Sequence, residues 1–292
     1  MATRIKSWSK AALGMLCLLF LSFWVAVSFS GCMSLQMKES EVEAHFEERS
    51  QELPVYSELK DEEGSIFLVR AGQGPTVVFV HGSPGSWDNF VHMLSDKQLN
   101  SQFTVLSVDR PGFGKTRPKG AETSIKTQAR RIRDALAASG AGLPAIWVGH
   151  SLGGPVVARL AVDFPADVSG MVLVAPSMDP ELEKRKWFNW AGKFPLVRWG
   201  LSREWRNSND EIWPLKGELI ELEKELGVMQ APTIVLQGDL DQLVPVGNAD
   251  YVERQFPEGV VELRILEGVN HFIPWSHPDE IKRAIFDLME EI

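Results

Sequence analysis

Ala145-Ile146-Trp147-Val148-Gly149-His150-Ser151-Leu152-Gly153-Gly154 is the stretch on which the reading of this chain turns. A short apolar run ends in Gly-x-Ser-x-Gly, and a helix-like segment follows at once and runs to Phe164, closed by Pro165. The pattern describes a buried strand, a sharp turn and a helix, with the central serine exposed at the tip of the turn. Glycines two before and two after Ser151 remove Cβ atoms that would collide in so tight a turn. The serine opens a helix, where free backbone N–H groups and the helix dipole favour negative charge. Five residues of pattern also recur by chance in glycine-rich turns, so the partners of Ser151 have to be found elsewhere in the chain.

Working outward, strand and helix signals alternate. Val55–Lys60 and Ile66–Arg70 flank an Asp-Glu-Glu-Gly turn and predict a hairpin. Thr76–Val80 is a continuous β-branched and aromatic run, which suits a strand buried on both faces. It ends in His81-Gly82-Ser83-Pro84-Gly85-Ser86, and helical spacing follows over Trp87–Leu94. Phe103–Val108 is a further strand, ending in Asp109-Arg110-Pro111-Gly112-Phe113-Gly114. Ser124–Ser139 reads as an amphipathic helix, with Ile125, Ala129, Ile132 and Leu136 on one side and Arg130, Arg131 and Arg133 elsewhere. After the central serine come strands over Met171–Val174, Thr233–Leu236 and Val261–Leu266, and a terminal amphipathic helix over Asp279–Glu291. Such alternation predicts an α/β fold with a mostly parallel central sheet flanked by helices. In a sheet of this kind sites gather at the carboxyl ends of the strands. The 81–86 loop, Ser151, Asp241 and His271 all follow strand ends, so they are expected on one edge.

Composition narrows the class. With 292 residues, 44% apolar and 24% charged, the chain is long enough for one large α/β domain with an ample core. Its net charge of −9 argues against nucleic acid or anionic membrane surfaces as partners. The first ten residues are basic, Ala11–Phe29 is almost wholly apolar, and Ser30-Gly31-Cys32 follows. That is the layout of an export signal. Phe29-Ser30-Gly31-Cys32 resembles a bacterial lipobox, in which the cysteine is lipidated, although Phe29 departs from the more usual leucine. An uncleaved anchor, at 19 residues close to the roughly 20 that span a bilayer, and an ordinary cleaved signal are the alternatives. In each case the body is expected outside the cytoplasmic membrane, tethered on the periplasmic side of a bacterial inner or outer membrane. The two cysteines, Cys17 and Cys32, both lie in this segment, so the body holds no disulfide framework, thiolate nucleophile or cysteine metal site. Residues 1–32 are thus read as signal or anchor, 33–54 as an acidic tether, and 55–292 as the folded domain.

Five segments taken together resemble the α/β-hydrolase fold family, in its serine-hydrolase branch: His81–Gly85, Asp109–Gly114, Gly149–Gly154, Gly238-Asp239-Leu240-Asp241 and Asn270-His271-Phe272. The resemblance covers roughly residues 55 to 292, and the order Ser, Asp, His is that family's. It implies that Ser151 is the nucleophile, His271 its base, and an acid that orients the imidazole. The family's acid usually falls three residues after the glycine, with Val-Pro soon after. Asp241 with Val244-Pro245 fits that pattern, Asp239 is a turn residue by the same reading, and Asp179 matches relatives that take the acid from the preceding strand. Among the other histidines, His277 is the remaining candidate base. His45 lies in the tether, His92 lies mid-helix, His150 points away from the turn, and His81 orders loops by hydrogen bonding. The oxyanion hole is expected from the Leu152 N–H and the Ser83 N–H. Asp109–Gly114 is expected to be structural, a tight turn with an acid and an arginine able to pair.

The resemblance places a helical cap after the sixth strand, approximately over 177–230. Five of the ten tryptophans lie there: Trp187, Trp190, Trp199, Trp205 and Trp213. They are read as an apolar acyl or aromatic pocket, as the cap's own core, or as a face turned towards lipid, with Lys184, Arg185 and Lys186 as a solvated face. The expected activity is cofactor-free and metal-free hydrolysis of carboxylic esters carrying an apolar acyl group, through an acyl-enzyme. Amide, thioester or carbon–carbon hydrolysis, acyl transfer and non-catalytic binding are the alternatives, and no nucleic acid is involved. A serine at the elbow argues against the dehalogenase and epoxide-hydrolase branches, which resemble this fold but use aspartate there.

Overall fold

The computed structural model of the chain describes residues 36–291, so the signal, lipobox or anchor expected over residues 1–32 lies outside the described residues. The strands are β1 (Val55–Asp61), β2 (Gly64–Gly72), β3 (Thr76–Val80), β4 (Thr104–Val108), β5 (Ala145–His150), β6 (Val168–Val174), β7 (Thr233–Gly238) and β8 (Val261–Leu266). The helices are α1 (Glu39–Glu48), α2 (Val91–Leu94), α3 (Lys97–Gln102), α4 (Ile125–Ala138), α5 (Gly153–Asp163), α6 (Trp187–Ala191), α7 (Pro195–Gly200), α8 (Arg203–Glu223), α9 (Gly247–Gln255), α10 (Ile273–Ser276) and α11 (Pro278–Glu291). Among the described residues no helix is long and apolar enough to cross a membrane.

The strands form one sheet in the order β1-β2-β4-β3-β5-β6-β7-β8. The β1/β2 and β2/β4 pairs are antiparallel, and the others are parallel. Every residue of β3, β5 and β7 is buried, because helices cover both faces of the sheet. One core packs β3, β4 and β5 against α4 and α5, and the other packs the opposite face against α11 and the Trp87–Leu94 turn. The edge strand β1 alternates exposed and half-buried positions and carries Glu58, Lys60 and Asp61, which discourage pairing with another chain.

The order decides where a site forms. From β3 the chain moves to one side to make β4, then crosses back over β3 to make β5. The loops leaving β3 and β5 therefore diverge, and a crevice opens at their carboxyl ends. Those loops are His81–Ser86 and Gly149–Gly153.

Several local expectations are met. Ser124 caps α4, its hydroxyl accepting from the Thr127 N–H at 3.3 Å, and Ile125, Ala129, Ile132 and Leu136 are buried. Arg131 lies off that apolar side, yet it is not solvated. It is buried with 2% of its surface accessible, and its Nε donates to Asp61 Oδ2 at 2.7 Å, so it ties α4 to the end of β1. The acidic segment before the domain also holds structure. From Glu39 it is a helix, and its Val42 and Phe46 are buried in the core beneath it. Burying two such side chains contributes roughly 1.5–3 kcal/mol each, enough to dock the helix rather than leave it a free spacer. Helix α3 carries no hydrophobic period, and its signal is Asp96, whose carboxylate accepts from the Leu99 N–H at 2.9 Å.

The elbow glycines are required by backbone contact. A Cβ on Gly153 would lie 2.3 Å from the Val80 carbonyl oxygen, and one on Gly149 would lie 2.5 Å from the Gly153 oxygen. Neither neighbour is a flexible side-chain end. Gly153→Ala is therefore expected to cost about 1–3 kcal/mol, read in thermal unfolding as a Tm lowered by roughly 2–12 °C.

Candidate active site

Ser151 sits where β5 turns into α5, with φ of 53°. That left-handed backbone is unfavourable for a residue with a side chain, by roughly 1–2 kcal/mol. Backbone bonds hold it: Ser151 N–H donates to the Val174 carbonyl at 2.9 Å, and Gly154 N–H donates to the Ser151 carbonyl at 2.9 Å. Leu152 is the N-cap residue of α5 and is buried. A Cβ on Gly82 would lie 2.8 Å from the Ser151 Cβ, so the loop after β3 packs directly on the serine. Ser83 follows in that loop, and its hydroxyl is buried without a hydrogen-bond partner.

His271 and Asp241 are brought together. The His271 Nδ1 lies 2.7 Å from Asp241 Oδ2, and the Asp241 side chain is fully shielded from solvent. The other carboxylate oxygen, Oδ1, accepts from the Leu243 and Val244 N–H groups, each at 2.8 Å. Burial pushes the Asp241 carboxyl up. The hydrogen bond and charge of His271, with the two backbone donors, outweigh it and hold the pKa below the ordinary value. Gly238 lets the two loops meet, since a Cβ there would lie 2.3 Å from the Val269 carbonyl oxygen.

The rival residues are engaged elsewhere. Asp239 Oδ1 accepts from the Gly268 N–H at 2.7 Å, as a turn residue does. Asp179 Oδ1 accepts from the Glu181 N–H at 2.8 Å, at the entry to the cap. His277 is exposed and bonds the Ser276 hydroxyl, and His45 stacks edge-on against His92.

Two histidines beside the site have positioning roles. His150 Nε2 lies 3.1 Å from the His271 carbonyl oxygen, and the two rings are 4.9 Å apart. Burial, reinforced by the neighbouring His271, lowers the His150 pKa to about 3, so the ring is neutral and its Nε2–H donates to that carbonyl. The residue next to Ser151 thus pins the loop that carries His271. Sequence reasoning sent His150 away from the turn but had no signal for this contact, which spans 121 residues. His81 is wholly buried and, chiefly for that reason, titrates well below an ordinary histidine. Its Nδ1–H donates to the Gly82 carbonyl at 2.7 Å, and its Nε2 accepts from the Arg110 N–H at 3.0 Å.

The Asp109–Gly114 turn is structural, but its acid and arginine do not pair with each other. Arg110 is fully buried and reaches the cap, donating to Glu211 of α8 through two nitrogens at 2.9 and 3.0 Å. The same guanidinium donates to the His81 and Gly82 carbonyls at 2.8 and 2.9 Å. It therefore fixes the loop after β3 and the cap helix with one planar group. Asp109 instead accepts from the Trp87 and Lys115 N–H groups at 2.8 and 2.6 Å. Burial dominates there and raises its pKa to about 6.

The Asp109 shift has a measurable consequence for stability. Between the ordinary aspartate pKa and about 6, the folded carboxyl keeps a proton that the unfolded chain has lost. Stability contributed by this group is therefore present at low pH, declines as pH rises through that window, and levels off above it. Urea unfolding of wild type and Asp109→Asn at several values from pH 4 to 7 checks this. The wild type is expected to lose on the order of 3 kcal/mol relative to the variant across the window.

The cap consists of α6, α7 and α8. Four of its five tryptophans face outward: Trp187, Trp190 and Trp199 are 77%, 59% and 72% exposed, and Trp205 is also exposed, while Trp213 is half-buried against Trp190.

Comparison with known proteins follows the same lines. The family model of the alpha/beta hydrolase fold matches residues 75–198. A pimeloyl-[acyl-carrier protein] methyl ester esterase of Methylococcus capsulatus is 35% identical over 262 residues, covering 77% of this chain and 98% of that protein. A 2-hydroxy-6-oxononadienedioate/2-hydroxy-6-oxononatrienedioate hydrolase of a Pseudomonas species is 25% identical over 271 residues, covering 77% of this chain and 92% of that protein. Among solved structures, a thermophilic esterase from Thermogutta terrifontis shares the fold with a TM-score of 0.65 at 18% identity, covering 82% of this chain and 98% of that one. With its sheet order, its strand–turn–helix at Ser151 and a full-length relative at this identity, the chain belongs to the α/β-hydrolase fold family.

Proposed function

We propose that this protein is a serine hydrolase acting on carboxylic esters, with Ser151, His271 and Asp241 as its catalytic triad. The observation that carries the reading is the 2.7 Å bond from His271 Nδ1 to a shielded Asp241, made at the sheet edge where Ser151 stands on its strained turn. Held by that carboxylate, His271 keeps its Nδ1 proton and leaves Nε2 free to accept one. Ser151 Oγ attacks the ester carbonyl carbon as its proton passes to Nε2. The carbonyl oxygen gains the charge and is held by the Leu152 and Ser83 N–H groups, assisted by the N-terminus of α5. Collapse breaks the ester C–O bond, and His271 returns the proton to the departing alcohol. A water then attacks the acyl carbon, giving its proton to the same nitrogen; the acyl bond to Ser151 Oγ breaks, the acid leaves, and Oγ takes the proton back from His271.

The esterase and hydrolase relatives support an ester or a related acyl bond as the target. An apolar acyl group is favoured by the exposed rim beside the site, where Leu240, Leu243 and Phe272 are 58%, 48% and 50% exposed. The test is turnover of p-nitrophenyl esters of graded chain length, together with labelling by a fluorophosphonate. Labelling at Ser151 with ester turnover supports the reading. Absence of both in well-folded protein would count decisively against it.

The N-terminal segment belongs to the same proposal. Its basic start, its apolar run and the Phe29-Ser30-Gly31-Cys32 sequence support export and attachment through lipidated Cys32. Cys32→Ser is expected to leave an unprocessed precursor of larger size on a gel. Unchanged processing and attachment would remove the lipid from this account.

A further inference from the structure

We infer that the aromatic and basic outer face of the cap is a docking surface for an anionic phospholipid bilayer. The face is built from α6 and α7. Trp187, Trp190, Phe194 and Leu196 are 77%, 59%, 68% and 59% exposed, within ten residues of chain. So dense a cluster of exposed apolar side chains is unusual on a soluble surface and marks a contact.

The charge on this stretch is the reverse of the molecule's. From Lys184 to Arg203 there are six basic side chains and no acidic one, in a chain of net charge −9. Arg198 and Arg203 are paired with Asp210 and Glu204, whereas Lys184, Arg185, Lys186 and Lys193 make no ion pair among the described residues. Protein interfaces deplete lysine. Lysine and arginine beside tryptophan and phenylalanine are what a headgroup layer with negative charge selects. Charge complementarity thus favours a bilayer over a protein partner.

The face is held from behind, so its exposure is a built feature. Asn189 Nδ2 donates to Asn209 Oδ1 at 3.2 Å, Arg198 is bidentate to Asp210 at 2.8 and 2.7 Å, and Trp190 packs edge-on against Trp213 at 4.8 Å. These contacts fix α6 and α7 on α8.

Its position also fits. Lys186 Nζ donates to the Gln242 carbonyl at 3.2 Å, next to Asp241, so the basic end adjoins the rim of the candidate site. The start of the described chain lies at the same sheet edge, where the Met37 N–H donates to Asp88, in the turn that leaves the loop after β3. Met37, the second described residue, therefore lies on the side of the body that carries the cap. A bilayer that holds the N-terminus and touches the cap would face the mouth of the site. The inference does not depend on the triad.

The test uses residues 36–292, which contain all eight strands of the sheet and all the described members of both cores. This body is sedimented with vesicles of phosphatidylcholine alone and with vesicles containing one-third phosphatidylglycerol. Binding is expected only with the anionic vesicles, and is expected to fall at least about ten-fold at 0.5 M salt, where surface charge is screened. Trp187→Ser/Phe194→Ser/Leu196→Ser, which leaves the Trp190–Trp213 contact in place, is expected to weaken binding at least ten-fold while leaving far-UV circular dichroism unchanged. Ser151→Ala is expected to bind as wild type does, which separates this result from that of the catalytic proposal. Equal binding to neutral vesicles, no binding to either, or a dimer in gel filtration that the triple variant converts to monomer would each overturn it.

Discussion

Ser151→Ala is expected to lower ester turnover by about 10⁴–10⁶-fold while leaving the fold intact. The two halves of this expectation come from different atoms. The turn is held by backbone groups, through Ser151 N–H to Val174, Gly154 N–H to Ser151 and Ser177 N–H to the Ser151 carbonyl at 2.9, 2.9 and 3.2 Å. Alanine keeps all of these. It also keeps a Cβ, so the left-handed strain at φ 53° is unchanged. Stability is therefore expected within about 0.5 kcal/mol of wild type. What is lost is the single Oγ that forms the acyl bond. Whatever turnover remains would come from the oxyanion donors and substrate binding alone. Ser151→Gly separates strain from chemistry, since it is equally inactive but is expected to be more stable by on the order of 1 kcal/mol, glycine being free to adopt this backbone. Measurement is by p-nitrophenyl ester turnover and urea unfolding of the three proteins. Activity of the alanine variant within ten-fold of wild type would reassign the nucleophile.

Asp241→Asn is expected to lower kcat by about 10³–10⁴-fold, with fluorophosphonate labelling of Ser151 slowed in parallel. The geometry dictates the reason. Oδ1 of Asp241 accepts from two N–H groups, of Leu243 and Val244, so an asparagine at this position must turn its carbonyl oxygen towards them. Its NH2 then faces His271 Nδ1 and also the Gln237 amide nitrogen, which lies 3.3 Å from Oδ2 in the wild type. Facing a donor, Nδ1 must accept, and the imidazole proton moves to Nε2, the nitrogen that has to receive the serine proton. The variant is isosteric and holds the wrong tautomer. The pH behaviour carries a matching sign. The folded Asp241 pKa lies below the unfolded one, so this carboxylate's contribution to stability is present above the ordinary aspartate pKa and is lost as pH falls below it. Around pH 7 the wild-type carboxylate is fully charged, and the loss of kcat in Asp241→Asn should not be recovered by changing pH between 6 and 8. A loss of less than ten-fold, or recovery within that range, would argue that another acid orients His271.

Much of the site was legible because its parts are local. Gly149 and Gly153 flank Ser151 within five residues, and the collisions they avoid are with backbone a few positions away or at the end of the neighbouring strand. The strands β3, β5 and β7 announce themselves as unbroken apolar runs, since both faces of each are covered. The choice of Asp241 over Asp239 was legible through the family pattern, and the contact with His271 agrees with it. The roles of Arg110, Arg131 and His150 were not. Their partners are Glu211, Asp61 and the His271 carbonyl, 101, 70 and 121 residues away. No periodicity or propensity carries such a pairing. An arginine on the polar side of an amphipathic pattern reads as solvated, and only the fold shows that the end of β1 passes over Arg131.

The cap marks the same boundary from the other side. Its tryptophans are plain in the composition, but composition does not say whether an aromatic side chain faces a core, a substrate or the solvent. That depends on which side of α6 and α7 is taken by α8, and the Asn189–Asn209 and Arg198–Asp210 contacts settle it by turning Trp187 and Phe194 outward.

By itself, then, the sequence determined the fold class and the turn that presents Ser151, because each is a matter of short-range sterics and of the period of burial, whereas Asp241 and His271 entered through the family resemblance. The tertiary structure decided what pins the loop after β3 to the cap, what holds the loop that carries His271, and which way the tryptophans point. Those are contacts between segments distant in the chain, and they exist only once the strand order brings β3, β5, β7 and the cap to one edge.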